Sequence, residues 1–322
     1  MILPYYIRLV CLCLATFFVV HALSWLGVRS MAAAAVRIAG TMRPRMASRF
    51  LFAVRMAPAA VSVFLIVGFC VPSYVWLEPD LASERVGWFC LLAAASGAAV
   101  WAAALVRGTA AVVLTDRYVR RCQAQAPPER AEDLVVVNDS AAVMAMAGVM
   151  RPKLVVSQAV LDALSSEQQQ AAFRHEAAHR SSRDNLKRLL FLLSPDVAPF
   201  VGGSRRLERA WAMFTEWAAD DEAVDGDQER ALSLASALVR VAKLGVQGSP
   251  THLLCSLMED DLDLEARVDR LLRAPAYAEK PMAPVVAFMR NAGLVIGGVT
   301  ATLLLWPESL GGIHRLLEHL IQ

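Results

Sequence analysis

Four long apolar runs dominate this sequence and limit the chain to folds that a lipid bilayer can hold. They cover approximately residues 9–28, 57–77, 87–106 and 284–306. An α-helix of roughly 20 mostly apolar residues crosses the hydrocarbon core of a bilayer. Hydrophobic residues make up 57% of the chain, whereas soluble domains contain about 45–50% apolar residues. The sequence therefore predicts a mainly α-helical membrane protein with four transmembrane helices.

Basic residues in the loops predict how these helices are oriented. Six arginines lie between the first two runs and four lie within residues 107–121, whereas the loop between the second and third runs reads EPDLASER. We therefore expect a multi-pass protein of the cell membrane. Because cytoplasmic loops carry an excess of Lys and Arg, the first loop and the region 107–283 are expected on the cytoplasmic side. A secretory signal peptide is the alternative for the first run, although Arg8 is its only basic residue and no clear cleavage site follows.

The predicted spans divide the chain into three parts. Residues 1–107 would form three transmembrane helices with a basic cytoplasmic loop. Residues 108–283 would form a cytoplasmic α+β domain, and residues 284–322 would form the fourth transmembrane helix and a short external tail. The other predicted loops are short, so we expect the functional site to lie within residues 108–283.

Hydrophobic patterns within this middle part predict a small sheet followed by helices. Short β-branched or apolar runs predict strands at 134–137, 142–149 and 153–157. Ser165 and Gln168 have the spacing of a helix capping box, and no Gly or Pro interrupts the chain from Glu167 to Leu193. One continuous helix is therefore predicted there. Further helices are predicted near 204–224, 229–246 and 259–273.

The string HEAAH in the middle of the 167–193 helix is the strongest chemical signal. His175 and His179 are four residues apart, so both imidazoles project from one helix face and can reach a single cation. Glu176 lies about 100° around the helix from His175, where it can touch a metal-bound water without being a ligand. Two imidazoles, a carboxylate and an open fourth position are typical of a catalytic Zn²⁺ site.

The third metal ligand must come from another segment, and Glu216 is the best candidate. Asp220, four residues later, lies on the same helix face and could accept the free N–H of a ligating histidine. Three further carboxylates compete with Glu216, and spacing alone does not exclude them. They are Asp221, Glu222 and Asp225.

Among the remaining histidines, His21 is expected to be a packed or pore-facing residue and His252 an ordinary loop residue. A reaction that builds negative charge on a carbonyl oxygen needs a stabilising group besides the metal. His252 and Arg267 are weak candidates for that role. The formal net charge of +2 gives no reason to expect a nucleic-acid partner.

These motifs resemble those of the integral-membrane gluzincin metallopeptidases. The resemblance is strongest to peptidase family M56, which includes antibiotic-sensing proteases that cleave a cytoplasmic repressor, and it extends to the related membrane proteases of family M48. It is carried by residues 151–185 and 208–224, and more weakly by residues 264–272. The sequence does not show the large external sensor domain of the antibiotic-sensing proteases, so direct sensing of β-lactams is not expected.

The resemblance implies a zincin-like catalytic domain with His175, His179 and Glu216 as zinc ligands and Glu176 as the catalytic carboxylate. Its expected partners are membrane lipid and a protein or peptide substrate, such as a transcriptional repressor. It also implies that one of the strands predicted between residues 142 and 157 binds the substrate as an added strand, which needs a free sheet edge. A catalytically silent zinc-binding membrane regulator or scaffold is the alternative. A channel or transporter is not favoured, because it would need polar or charged residues that face one another within the spans and His21 alone makes a poor case.

Overall fold

The computed structural model covers most of the predicted transmembrane helices and most of the domain predicted at residues 108–283. The described residues are 4–77, 86–125, 133–138, 143–197, 203–244, 254–256 and 261–273. The predicted fourth transmembrane helix at 284–306 and His252 lie outside these residues.

Three helices of the described part are long and apolar enough to cross a membrane. Helix α1 is Tyr5–Ala39; α2, Pro44–Leu65, continues through a π-helical turn into α3, Val71–Leu77; and α4 is Trp88–Gln125. Large apolar side chains face outward along all three. The first three predicted apolar helices are thus confirmed, although α1 and α4 extend well beyond the apolar runs.

A glycine brings two of the long helices together. A Cβ atom added at Gly97 in α4 would lie 2.5 Å from the carbonyl oxygen of Leu14 in α1. Real Cβ atoms do not approach a backbone oxygen so closely, so a larger residue at this position would force α1 and α4 apart. Around this contact, Leu12, Ala15 and Cys90 belong to one buried apolar cluster.

Four short strands form one mixed sheet. They are β1 (Leu134–Val137), β2 (Met144–Ala147), β3 (Lys153–Ser157) and β4 (Leu254–Ser256). The order is β1-β3-β2-β4, with β1 parallel to β3 and β2 antiparallel to both of its neighbours. The three predicted strands are confirmed, while β4 was not predicted.

The strand order bears on the expected addition of a substrate strand. Strand β3 lies between β1 and β2, and β2 lies between β3 and β4. Met146 of β2 is paired with Cys255 of β4. Neither strand predicted between residues 142 and 157 therefore has a free edge, and a peptide could pair with β2 only if β4 moved away.

Six further helices follow α4 in the described part of the chain. They are α5 (Gln158–Ala163), α6 (Ser166–Ser182), α7 (Asp184–Leu193), α8 (Gly203–Val224), α9 (Gln228–Lys243) and α10 (Asp261–Arg273). Side chains from β3, α5, α6 and α9 form the main apolar core, in which Val156, Val160, Ala172, Leu234 and Leu238 are fully buried.

The expectation of one continuous helix to Leu193 is wrong. Helix α6 does begin with the predicted capping box of Ser165 and Gln168, but it ends at Ser182. Arg183 adopts a left-handed conformation with φ 54°, and α7 begins at the next residue. The break turns the Asp184 carboxylate back toward His179, 2.9 Å away. In one continuous helix these two residues would lie about 140° apart around the axis, so the contact requires the break.

Helix α8 packs against the long apolar helix α2. Leu207 and Trp211 pack with Leu51 of α2 in a shared buried cluster. Beside it, Arg55 of α2 is buried and its Nε donates to Glu208 Oε1 at 2.8 Å. The helix that carries Glu216 is therefore held at its first half by direct contacts with the long apolar helix α2.

Candidate metal centre

The structure brings the three predicted metal ligands together. His175 and His179 of α6 and Glu216 of α8 are buried, and each offers a ligand atom within 4.8 Å of the others. The two Nε2 atoms are 3.1 Å apart. Glu216 Oε2 lies 3.4 Å from His175 Nε2, and Glu216 Oε1 lies 3.5 Å from His179 Nε2.

The competing carboxylates of α8 lie outside this cluster. Asp221 and Glu222 are exposed and bond to Arg270 and Ser181, respectively. Asp225 is exposed at the end of the helix, with a positive φ of 49°. Of the four carboxylates considered as the third ligand, Glu216 is the one that faces the histidine pair.

Two other carboxylates set the orientation of the imidazoles. His175 Nδ1 lies 3.0 Å from Asp220 Oδ1, and His179 Nδ1 lies 2.9 Å from Asp184 Oδ2. At His179 the carboxylate is hydrogen-bonded to Nδ1, which holds the ring proton on that nitrogen and leaves a lone pair on Nε2. The Nε2 atoms of both rings face each other and the carboxylate of Glu216.

This set of groups fits a zinc ion. Three electron-pair donors converge in a buried space. Glu216 Oε1 accepts no hydrogen bond from a described residue, whereas Oε2 lies 3.2 Å from Arg267 Nη1. Buried acceptors without a donor are costly, and a cation among them removes that cost. Two imidazole nitrogens and a carboxylate oxygen are ligands that zinc prefers in catalytic sites.

Arg267 of α10 supplies a buried positive charge behind the ligands. Its Nη2 and Nε donate to Asp220 at 2.7 and 2.9 Å, and its Nη1 lies 3.2 Å from Glu216 Oε2. Burial alone would raise the pKa of Asp220, but Arg267 and His175 hold that pKa at about 2. Arg267 therefore contacts the candidate metal ligands and does not line either of the two cavities beside them.

Glu176 stands next to the histidines without being one of the clustered ligands. It is fully buried, and its Oε2 accepts a hydrogen bond from the backbone N–H of Met146 at 3.1 Å, while Oε1 has no partner among the described residues. Burial raises the pKa of the Glu176 carboxyl to about 7, although His179 and His175 oppose that shift. A carboxyl that titrates near neutrality can both accept and release a proton.

Two cavities open beside the cluster. One of about 220 Å³ reaches Glu176 and is lined by the apolar side chains of Leu134, Leu154 and Phe173. The other, of about 620 Å³, reaches His179. Both include Met146 of β2 in their walls, so the two cavities adjoin each other beside the cluster.

Asp184 and Asn185 lie at the end of the segment 151–185 that carries the family resemblance, and no pattern in the sequence assigns them a role. Asn185 Nδ2 donates to the carbonyl oxygens of Met146 and Gly148 at 2.9 and 2.8 Å. These bonds fix β2 against the helix that follows His179. Their position just after HEAAH is the one indication of a role in the sequence. Contacts made by polar side chains such as these produce no apolar periodicity that could reveal them.

We expect Asp184→Asn to weaken zinc binding by roughly 10- to 100-fold, the usual effect of removing a carboxylate that holds a ligating histidine. The amide cannot stabilise the ring proton on His179 Nδ1 as a carboxylate does. Competition titration of the purified protein with a zinc chelator measures the change. Asp162→Asn, which alters an exposed carboxylate bonded to Gln158, is the control, and equal zinc affinity in the two variants would refute a role for Asp184.

Two histidines one helical turn apart, a glutamate from a second helix and a further glutamate beside them define a metallopeptidase-type site. Consistent with this class, residues 113–238 match the model of peptidase family M48, a family of zinc metallopeptidases. The matched region contains the whole ligand cluster. A search of the curated proteins found no match. The closer resemblance to family M56 remains a prediction.

Proposed function

We propose that this chain is a membrane-embedded zinc endopeptidase that hydrolyses peptide bonds of a cytoplasmic or membrane protein in regulatory signalling. The observation that carries the proposal is the convergence of His175, His179 and Glu216 beside a buried Glu176 that lines an open cavity. The match to family M48 and the three apolar helices support the metallopeptidase and membrane parts of the proposal.

In this proposal His175, His179 and Glu216 hold the ion, with Asp220 and Asp184 positioning the two imidazoles. When bound there, zinc supplies a Lewis acid that acidifies water and polarises a peptide carbonyl. Burial of the cluster keeps competing water away from these charges and strengthens their interactions.

Glu176 performs the proton transfers. Its Oε1, which accepts no hydrogen bond from a described residue, takes one proton from the attacking water while the remaining hydroxyl bonds to the carbonyl carbon. The same carboxyl then returns that proton to the amide nitrogen as the carbon–nitrogen bond breaks. The products are a free carboxyl end and a free amine, which together contain the atoms of the peptide bond and one water molecule, and the Glu176 carboxylate is regenerated.

The membrane arrangement is part of the proposal. We infer that residues 108–283 form the catalytic domain on the cytoplasmic face, in line with the arginine-rich loops. The contacts between α8 and α2 hold the metal ligand Glu216 on a helix that is tied to the bilayer. The substrate would then be a protein that reaches this face, such as a repressor or another membrane protein.

The test compares the wild type with Glu176→Gln at equal expression in matched membranes. Quantitative proteomics of protein N-termini should reveal a discrete set of new termini that require Glu176 and disappear when zinc is chelated. The amide preserves the size of the side chain and cannot accept the proton. Identical termini in both samples under several stress conditions would contradict the peptidase and favour a zinc-binding regulator.

A further inference from the structure

The larger of the two cavities differs in character from the smaller one. It is a cleft of about 620 Å³ beside His179, formed by the turn between β2 and β3 and by the junction of α6 and α7. Arg151, Lys153 and Arg183 line it, and none of the three has an acidic partner among the residues that the structure describes. These three residues are called the cationic cleft below.

The remaining charged groups of the wall do not neutralise this surplus. Asp133 is paired with Arg180 at 2.9 Å. Asp184 is buried and pairs with His179 at 2.9 Å and with Lys187 at 2.7 Å. Every acidic side chain that lines the cleft is thus already matched by a cation, so the charge presented to a ligand is positive.

We propose that the cationic cleft binds acidic side chains of the peptide substrate close to the scissile bond. The inference rests on the proposed peptidase function and adds a substrate class to it. Charge complementarity of this kind selects partners and speeds their association. A peptide with Asp or Glu residues on one side of the cleavage site would be preferred over its amide counterpart.

The two cavities together favour an extended peptide as the occupant. They share Asp133, Met146 and Arg180 in their walls, so a chain lying across the metal ligands would enter both. On the Glu176 side it would meet Leu134 and Phe173, which suit an apolar side chain. A lipid headgroup would also match the cations, but the position of the apolar cavity beside Glu176 favours a peptide, whose side chain would lie next to the bond to be cut.

The experiment uses the full-length protein, loaded with zinc, in nanodiscs of uncharged phosphatidylcholine. The substrates are fluorogenic peptides with a central Leu and with Glu or Gln placed at each position on either side of it. We expect kcat/KM to be about three- to tenfold higher for Glu than for Gln at positions on one side only. High salt should reduce this ratio, because exposed charge pairs are screened.

Charge reversal tests which residues are responsible. In the double variant Arg151→Glu/Lys153→Glu, the preference should shift from Glu peptides to the matching Lys peptides. Arg230→Glu makes the same kind of change on α9, where Arg230 pairs with Asp227 outside the cleft, and should leave the Glu-to-Gln ratio as in the wild type. A ratio near 1 in the wild type, or a preference unaltered by the double variant, would overturn the inference.

Binding measurements separate this inference from the proposed function. Fluorescence anisotropy with the Glu176→Gln protein reports peptide affinity without cleavage, and we expect tighter binding of Glu than of Gln peptides. Cleavage without any acidic preference would refute the role of the cleft, while the proposed peptidase function would stand. Acidic peptides that bind through Arg151 and Lys153 but are never cleaved would support the cleft and contradict the peptidase function. A second set of nanodiscs, in which phosphatidylglycerol is mixed with the phosphatidylcholine, tests the lipid alternative. If the double variant bound less phosphatidylglycerol there than the wild type and showed no change in peptide preference, the cleft would serve lipid and the inference would be wrong.

Discussion

Replacement of His179 by alanine is expected to strip zinc from the purified protein, lowering its affinity for the ion by more than about 100-fold. Loss of a carboxylate that supports a ligating histidine already costs about 10- to 100-fold, and loss of the ligand itself should exceed that range. His179 Nε2 faces both His175 Nε2 and Glu216 Oε1, so its removal leaves two ligands and an opening where the third was. Metal content by mass spectrometry, expressed per chain, measures the effect.

Glu176→Gln is the matched comparison because it alters the same helix without removing a proposed ligand. This variant should retain about as much zinc as the wild type while losing peptidase activity. Circular dichroism of both variants checks that α-helical structure is preserved. Zinc that stayed with His179→Ala, or that was lost from Glu176→Gln, would show that the ligand and catalytic roles have been assigned to the wrong residues.

The helices of the described part could largely be predicted because each one depends on a local pattern. The apolar runs locate α1, α2 and α4, and the capping box places the start of α6 at its observed position. Their far ends were less predictable. Helix α4 continues to Gln125 because Tyr118, Val119 and Cys122 pack on the sheet, and a hydropathy scan detects membrane burial but not such contacts.

In the candidate site, too, the features that depend on neighbouring residues could be predicted, and those that depend on distant parts of the chain could not. The spacing within HEAAH and from Glu216 to Asp220 follows the helical period, so each pair could be placed on one helix face from the sequence. Their convergence required α6 and α8 to pack together. Arg267 was considered only as a stabiliser of transition-state charge, because no local pattern could show that α10 brings it to Asp220.

Strand β4 was missed for a related reason. It has only three residues, Leu254–Ser256, and no alternating pattern to distinguish it. Its pairing with β2 spans more than 100 residues of sequence. The strand covers the edge on which a substrate strand was expected, so the prediction of a free edge failed through a contact that only the folded chain makes.

Arg267→Met is expected to destabilise the protein by about 3–5 kcal/mol, the range observed when one partner of a buried ion pair is removed. Methionine replaces much of the buried volume but leaves Asp220 and Glu216 without the guanidinium that now lies 2.7 and 3.2 Å from them. The loss should be larger after zinc is removed by chelation, because the described residues then leave these carboxylates without a cation beside them. Thermal unfolding in detergent, followed by tryptophan fluorescence, reports the change.

Two further variants separate the charge of Arg267 from its packing. Arg273→Met alters the same helix at an exposed ion pair with Asp269, where the expected cost is below about 1 kcal/mol. Adding Asp220→Asn to Arg267→Met removes one of the stranded charges and should recover part of the lost stability, since the two residues are directly coupled. If the double variant is no more stable than Arg267→Met, the arginine acts through packing of its side chain, and the electrostatic account of the metal centre is wrong.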